Sequence, residues 1–384
     1  MSADLLVYLD NAASTPVNSA ALESMLPYFS DAFGNPSGSH SLAKAANDAI
    51  ENARDIVARC IGATPDEIVF TGGGTEADNL AIAGGIASNG AIPVCSAVEH
   101  HAVLRACEAA GGRVIGVANI GTVDLDSLTS VLATVGPDRV AVVSVMMANN
   151  ETGVIQPLRE VTELVRRYAP NALVHTDAVH AFPWLDVAHA AKDVDLISIS
   201  AHKFGGPKGV GALVVRGRAK ISPILHGGGQ ERDRRGGTHN VPGIVGMAMA
   251  AQICDETRDD NVKRVGALRD RLAEELVRRI PNTIETSSRH VKTAGNCHVR
   301  FGDIEGSQLV AALDSLGVCA STGSACTSEG AESSHVLLAM GLSEKEANSS
   351  VRLTLGATTT EQDVDLAIQA IETSVIGLRL RHAG

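Results

Sequence analysis

A lysine, an aspartate, a glycine-rich turn and a cysteine carry the chemical possibilities of this chain. Lys203 ends Ser200-Ala201-His202-Lys203, directly after the apolar run 196–199. An amine there can condense with an aldehyde cofactor to give a Schiff base, provided that its pKa is depressed. Alone, a lysine in a Gly/Pro-rich loop also reads as a solvated surface residue. Asp177 ends another apolar run, 174–176, where a carboxylate can pair with a protonated pyridine nitrogen and make the ring an electron sink. It equally suits the N-cap of a following helix. Gly72, Gly73 and Gly74 lead into Thr75 and a helical pattern, so exposed amides and a hydroxyl await a phosphate; a plain tight turn is the alternative. The run is neither G-x-G-x-x-G nor G-x-x-x-x-G-K-[ST], which argues against a dinucleotide or nucleoside triphosphate. His100 opens a helix, as a ring-stacking and proton-shuttling group or as a cap. Asn150 follows the most apolar run, 140–147, at a ligand-facing edge or in an ordinary turn. Together these groups give phosphate amides, a stacking ring, a partner for a ring nitrogen and a lysine, all at strand ends.

Cys326 stands apart. Its surroundings, 321–334, are small and polar with no apolar periodicity, which reads as an exposed loop rather than core. The chain has 7 cysteines. The other six, at 60, 95, 107, 254, 297 and 319, are scattered and form no CxxC pair, as expected of reduced, buried apolar residues. No metal site is expected.

The elements that must position these groups follow from periodicity. Strands are expected at 68–70, 92–95, 114–117, 140–147, 174–176, 196–199 and 210–215. Amphipathic helices lie between them at 41–60, 76–87, 101–110 and 157–168. Such alternation implies an α/β domain with a large, mainly parallel sheet, and ligands bind at the carboxyl ends of such strands. After about residue 255, apolar positions 262, 265, 268, 272, 276 and 280 mark a long helix. Strands near 296–301 and 351–355 follow, with helices near 307–316, 335–340 and 361–378, giving a smaller α+β domain. The expected division is 16–254 for the large domain, against 1–15 with 255–384 for the small one carrying the cysteine loop at about 320–334.

Of 384 residues, 45% are hydrophobic, and 44 acidic side chains face 32 basic ones for a formal charge of −12. That balance disfavours direct nucleic-acid binding, which needs clustered Lys and Arg. The N-terminus resembles neither a signal peptide nor a membrane anchor, and no apolar stretch approaches the roughly 20 residues of a span. A cytoplasmic location is expected.

The motifs resemble those of the NifS/IscS-type cysteine desulfurases, within the class V aminotransferase-like, fold-type I group of pyridoxal 5'-phosphate enzymes. The likeness runs nearly end to end: YLDNAASTP at 8–16, GNPS at 34–37, GTE at 74–76, NNETG at 149–153, HK at 202–203, HGGGQER at 226–232 and STGSACTS at 321–328. It implies that Gly74, Thr75, Ser200 and His202 serve the phosphate and its surroundings, and that His100 stacks on the ring. Asn150 contacts the ring oxygen or substrate, Asp177 pairs with the ring nitrogen, and Lys203 carries the Schiff base. Thr238 reaches the phosphate of a neighbouring subunit, implying a homodimer. Arg352 clamps the substrate carboxylate, since a guanidinium fork bonds both oxygens. Lys203, His100 and Cys326 are the implied catalytic residues, turning L-cysteine into L-alanine and a Cys326 persulfide. The stretch from Cys326 to Arg352 resembles the long-loop subgroup. The persulfide would pass to a scaffold or sulfur-carrier protein serving iron–sulfur clusters, tRNA thiolation or DNA phosphorothioation. A selenocysteine lyase or a class V aminotransferase would keep Lys203 and Asp177, although a transaminase has no use for Cys326. A non-catalytic scaffold would have no need to retain these groups. Two departures stand out: His180 occupies a cofactor-contacting position that is usually Gln, and Ala357 stands where the family often has Arg.

Overall fold

A computed structural model describes residues 6–86, 91–323 and 333–383. In chain order the strands are β1 (Val7–Tyr8), β2 (Ile68–Thr71), β3 (Ile92–Ser96), β4 (Arg113–Ile115), β5 (Val140–Ser144), β6 (Leu173–Asp177), β7 (Leu196–Ser200), β8 (Gly211–Val215), β9 (Thr283–Glu285), β10 (Asn296–Phe301), β11 (Val318–Cys319) and β12 (Ser350–Thr354). Seven of them form one sheet in the order β2-β8-β7-β6-β5-β3-β4. Pairing is parallel from β4 through β7, while β8 runs antiparallel to both β7 and β2. The fold is therefore the expected α/β architecture with a mainly parallel sheet.

Every residue of β5, β6 and β7 is buried, because apolar layers cover both faces. Ile68, Phe70, Val143 and Ile197 enter one layer, and their alternates Val69, Val142 and Leu196 enter the other. The helix Ser41–Ile61 covers the first face with Ala46, Ile50, Ala53 and Val57, at helical spacing. It stops at Gly62, whose φ of 65° suits the left-handed C-cap.

Two differences from the expected elements have local causes. The run 140–147 is a strand only to Ser144, yet Val145 and Met147 N–H still donate to His175 and Asp177 carbonyls, at 3.1 and 2.9 Å. The long helix spans Val241–Arg279, starting well before 262. Its first turns bury Val241, Ile244, Met247, Ala248 and Ala251 in the large core, and its later ones bury Val265, Leu268, Leu272 and Leu276 in another. That second core takes in β10, β12 and the helix Glu361–Ala383. We propose the domain boundary at 254/255, inside this helix, where its side chains change partner. Among the six other cysteines, Cys60, Cys95, Cys107 and Cys297 are buried, but Cys254 and Cys319 are half-buried. No helix among the described residues is long and apolar enough to cross a membrane.

The glycine-rich segment 226–237 is held to the sheet from within. Glu231, Arg232 and Asp233 adopt φ of 50°, 56° and 62°, a conformation costly for side-chain-bearing residues. Buried Arg54 grips Glu231 through two bonds of 2.8 Å, and Glu231 also accepts from Phe70 N–H and bonds the His239 ring. Burial pushes this carboxyl up, but Arg54 and His239 outweigh it and hold it at about 2, against 4.5 ordinarily. A depressed folded-state pKa stabilises above the unfolded value and is lost as pH falls through the folded one. Glu231→Gln is therefore expected to lose about 3 kcal/mol near neutral pH. The difference from the parent should shrink between pH 4.5 and 2. Urea unfolding of both proteins checks this, and equal midpoints at neutral pH would contradict it.

Candidate active site

The carboxyl ends of β5, β6 and β7 open onto a cavity of about 280 Å³, near the lower end of the ~300–1,000 Å³ typical of small-molecule sites. Its walls bring together Gly74, Thr75, His100, Asn150, Asp177, His180, Ser200, His202, Lys203 and Arg352. Ala12, Ala13, Asp78, Met146 and Val179 complete them. Thr238 is exposed and is not part of this wall. Cys326 lies outside the described residues. The residues flanking it are anchored beside the cavity, however. Ser321 and Arg352 exchange backbone bonds of 3.2 and 2.6 Å. Ser334 donates to Glu151 at 2.5 Å, and His335 meets Glu99 O at 3.0 Å.

Lys203 follows β7 in a short 3₁₀ turn. Its Nζ donates to the carbonyls of Ala12 and Ala13, so the N-terminal segment holds the amine at the cavity. Asp177 closes β6, and its Oδ1 accepts from Val179 N–H at 2.8 Å. Burial outweighs that bond and nearby Lys203, raising the carboxyl to about 6. A protonated ring nitrogen would give it the cation that burial makes valuable.

His100 is the helix cap that its sequence position allowed, and its ring also faces the cavity. Its Nδ1 accepts Ala102 N–H at 3.1 Å and caps the helix His101–Ala109. Burial first, then Lys203, lowers its pKa to about 4. The neutral ring therefore carries its proton on Nε2, the other nitrogen. Burial likewise lowers His180 to about 3 and His202 to about 4, with Lys203 adding to both. His180 Nε2 lies 3.5 Å from Thr293 Oγ1.

The glycine turn forms a close-packed cradle. Gly73 has φ of 145°, and a Cβ on Gly74 would come within 3.0 Å of Val179 and 3.3 Å of Ser200. The helix Gly74–Gly85 starts there, with its unpaired amides and positive dipole end. Across the cavity, Arg352 Nη2 donates to Asp10 at 2.8 Å and Nη1 to Asn150 O at 3.3 Å. Its Nε is buried without a partner among the described residues. Such an orphaned donor suits an arriving carboxylate.

A cradle for phosphate, a buried carboxylate, a lysine and an under-satisfied arginine are what pyridoxal phosphate with an amino-acid substrate requires. The model of the family described as "Aminotransferase class-V" matches residues 7–366. The chain belongs to this family. It is 42% identical over 381 residues to "Cysteine desulfurase IscS" of Methanosarcina thermophila, covering 97% of this chain and 93% of that protein. The solved structure "NIFS-LIKE PROTEIN" superposes with a TM-score of 0.89 at 34% identity, over 97% of this chain and 100% of that one. "SspA in complex with cysteine" does so at 0.77 and 33%, over 92% and 99%. These likenesses make the chain an IscS/NifS-type member of the class-V fold, and pyridoxal phosphate is the cofactor of that family.

Asp78, Asp10 and the backbone of Ala12 and Ala13 escaped the reading of single motifs. Asp78 had a signal: it lies three residues after Thr75 on one helix, hence on nearly the same face.

Proposed function

We propose that this protein is a pyridoxal-phosphate-dependent cysteine desulfurase, converting L-cysteine to L-alanine and leaving its sulfur as a persulfide on Cys326. The observation that carries this is the meeting of Lys203, Asp177 and Arg352 in one cavity, with both ends of the Cys326 segment anchored at its rim.

Gly74, Thr75, Ser200 and His202 hold the phosphate, and Asp177 the ring nitrogen. Bound pyridoxal phosphate supplies an electron sink for the pair released at the substrate Cα. Arg352 takes the substrate carboxylate through its fork, with Asp10 keeping the guanidinium in place. The Lys203 amine takes the Cα proton. His100, neutral at physiological pH, donates from Nε2. The Cys326 thiolate attacks substrate Sγ: the new S–S bond forms as Cβ–Sγ breaks, and protonation at Cβ completes alanine. Thiol and cysteine thus become persulfide and alanine, with no external oxidant.

The same reading includes a homodimer in which Thr238 serves the neighbour's phosphate, and a scaffold or sulfur-carrier protein as acceptor. It places the protein in the cytoplasm without nucleic-acid contact. Incubation of the purified holoenzyme with L-cysteine and a thiol should give sulfide and alanine in equal amounts. Amino transfer to a keto acid without sulfide would contradict it and favour an aminotransferase. Turnover of L-selenocysteine with none of L-cysteine would favour the lyase.

His180 offers a narrower check. Its burial keeps the ring neutral, so it bonds the cofactor ring oxygen only as the tautomer that donates. His180→Gln supplies a permanent donor. The pH midpoint of the Schiff-base absorbance should move several-fold in proton concentration, and an unchanged profile would remove any special role for the imidazole.

A further inference from the structure

Behind Asp177 lies a buried polar cluster that the proposed reaction does not use. His175 and Asp177 are two apart on β6, so their side chains share one face of the sheet. Asp78 approaches from the helix Gly74–Gly85, and Glu99 from the residue before His100. Lys203 and His180 line the same cavity as Asp78 and Asp177. His175, Ser144, Ser198 and Glu99 are 0% exposed and Asp78 is 1%.

The contacts form a chain. Glu99 Oε1 accepts Met146 N–H at 2.6 Å, and Oε2 lies 3.4 Å from Ser144 Oγ. Ser144 Oγ is 2.8 Å from His175 Nδ1. On the far side, His175 Nε2 is 2.9 Å from Ser198 Oγ and 3.6 Å from Asp78 Oδ1. That Asp78 oxygen is buried with no hydrogen-bond partner among the described residues, and an ionised carboxylate there is very costly. Burial first, then the charge of Asp177, pushes the Asp78 carboxyl well up. Burial also raises Glu99 and lowers His175 to about 3.

Two proton orderings satisfy this chain. In one, protonated Glu99 donates to Ser144, Ser144 to His175 Nδ1, His175 Nε2–H to Ser198, and Ser198 to an ionised Asp78. In the other, every donor reverses: protonated Asp78 donates to Ser198, Ser198 to His175 Nε2, Nδ1–H to Ser144, and Ser144 to Glu99. One proton has then passed from Glu99 to Asp78 with no charge left on the imidazole.

We propose that Glu99, Ser144, His175 and Asp78 are positioning residues, forming a buried proton relay that keeps Asp78 neutral so that Asp177 stays ionised opposite the cofactor ring nitrogen. The proposal rests on the cofactor reading above. Its test is the pH titration of the Schiff-base absorbance in the holoenzyme. Two cofactors are compared: pyridoxal phosphate, and an analogue with carbon in place of the ring nitrogen. His175→Phe, and the milder Ser144→Ala should the first fold poorly, are expected to move the midpoint at least tenfold in proton concentration with pyridoxal phosphate alone. Asp78→Asn, permanently neutral, should restore the parent midpoint in the His175→Phe background. An unmoved midpoint, an equal shift with both cofactors, or no restoration by Asp78→Asn overturns the relay. A parent that forms no Schiff base, or an Asp177→Asn titration identical to the parent's, overturns instead the cofactor reading beneath it.

Discussion

Lys203→Ala is expected to abolish the Schiff-base absorbance and to slow alanine formation from L-cysteine by at least about 10³-fold. Positioned proton transfer alone contributes about 10²–10⁴-fold, and in the proposed function this amine also makes the covalent attachment to the cofactor. The structure gives a reason for the size of the effect. Lys203 Nζ is held by two backbone carbonyls, Ala12 and Ala13, from the far N-terminal end of the chain. No other lysine lines this cavity among the described residues. Absorbance spectra and single-turnover alanine assays measure the two losses separately. Retention of the parent spectrum and rate would remove Lys203 from the chemistry.

Asp177→Asn is the second large effect. A hydrogen bond to a charged group contributes about 1.5–3 kcal/mol, and burial places this one toward the upper end. We expect roughly a hundredfold loss in kcat, with a smaller change in KM, since in the proposed reading Asp177 meets the ring and not the substrate. The pH dependence carries a sign. In the cofactor-free protein the carboxyl titrates at about 6, so it is an anion above that pH and increasingly neutral below it. Parent affinity for the cofactor should therefore rise as pH increases through 6 and then level off. In Asp177→Asn that component of the rise should be missing. Fluorescence titrations of the two proteins across this range give the difference directly. Parallel curves would contradict the pairing of Asp177 with the ring nitrogen.

Much of this site was legible because parallel strands advertise their carboxyl ends. An apolar run followed at once by Asp177, by Ser200 to Lys203, or by Asn150 can be read without knowing the partner strands. The glycine turn proposed to hold the phosphate was legible from its residue types, since Gly73 at φ 145° is a position that only glycine fills readily. What escaped were contacts between residues far apart in the chain. Nothing local in Arg54 announces that it will grip Glu231, and nothing in His175 announces Ser144 on one side and Ser198 on the other. The early half of the helix Val241–Arg279 was missed for another reason. Pro242, Gly243 and Gly246 have low intrinsic helix propensity, though proline is well placed in a first turn, and burial of Val241, Ile244 and Met247 overrides the glycines.

His100 shows the limit of reading one residue for one role. Capping and chemistry were alternatives in the sequence, yet the cap engages only Nδ1 and leaves Nε2 to the chemistry proposed for this ring. Because Nδ1 is committed to Ala102 N–H, the cap fixes the tautomer that presents Nε2–H.

The sulfur chemistry rests on Cys326, and mass spectrometry of that residue tests it most directly. The holoenzyme is mixed with one equivalent of L-cysteine, quenched with an alkylating agent and digested. One added sulfur atom is expected on the Cys326 peptide, formed in step with alanine, and Cys326→Ser should yield neither the adduct nor thiol-dependent sulfide release at the parent rate. Sulfide and alanine released at the parent rate by Cys326→Ser, or extra sulfur found on Cys254 or Cys319 instead, would contradict the account.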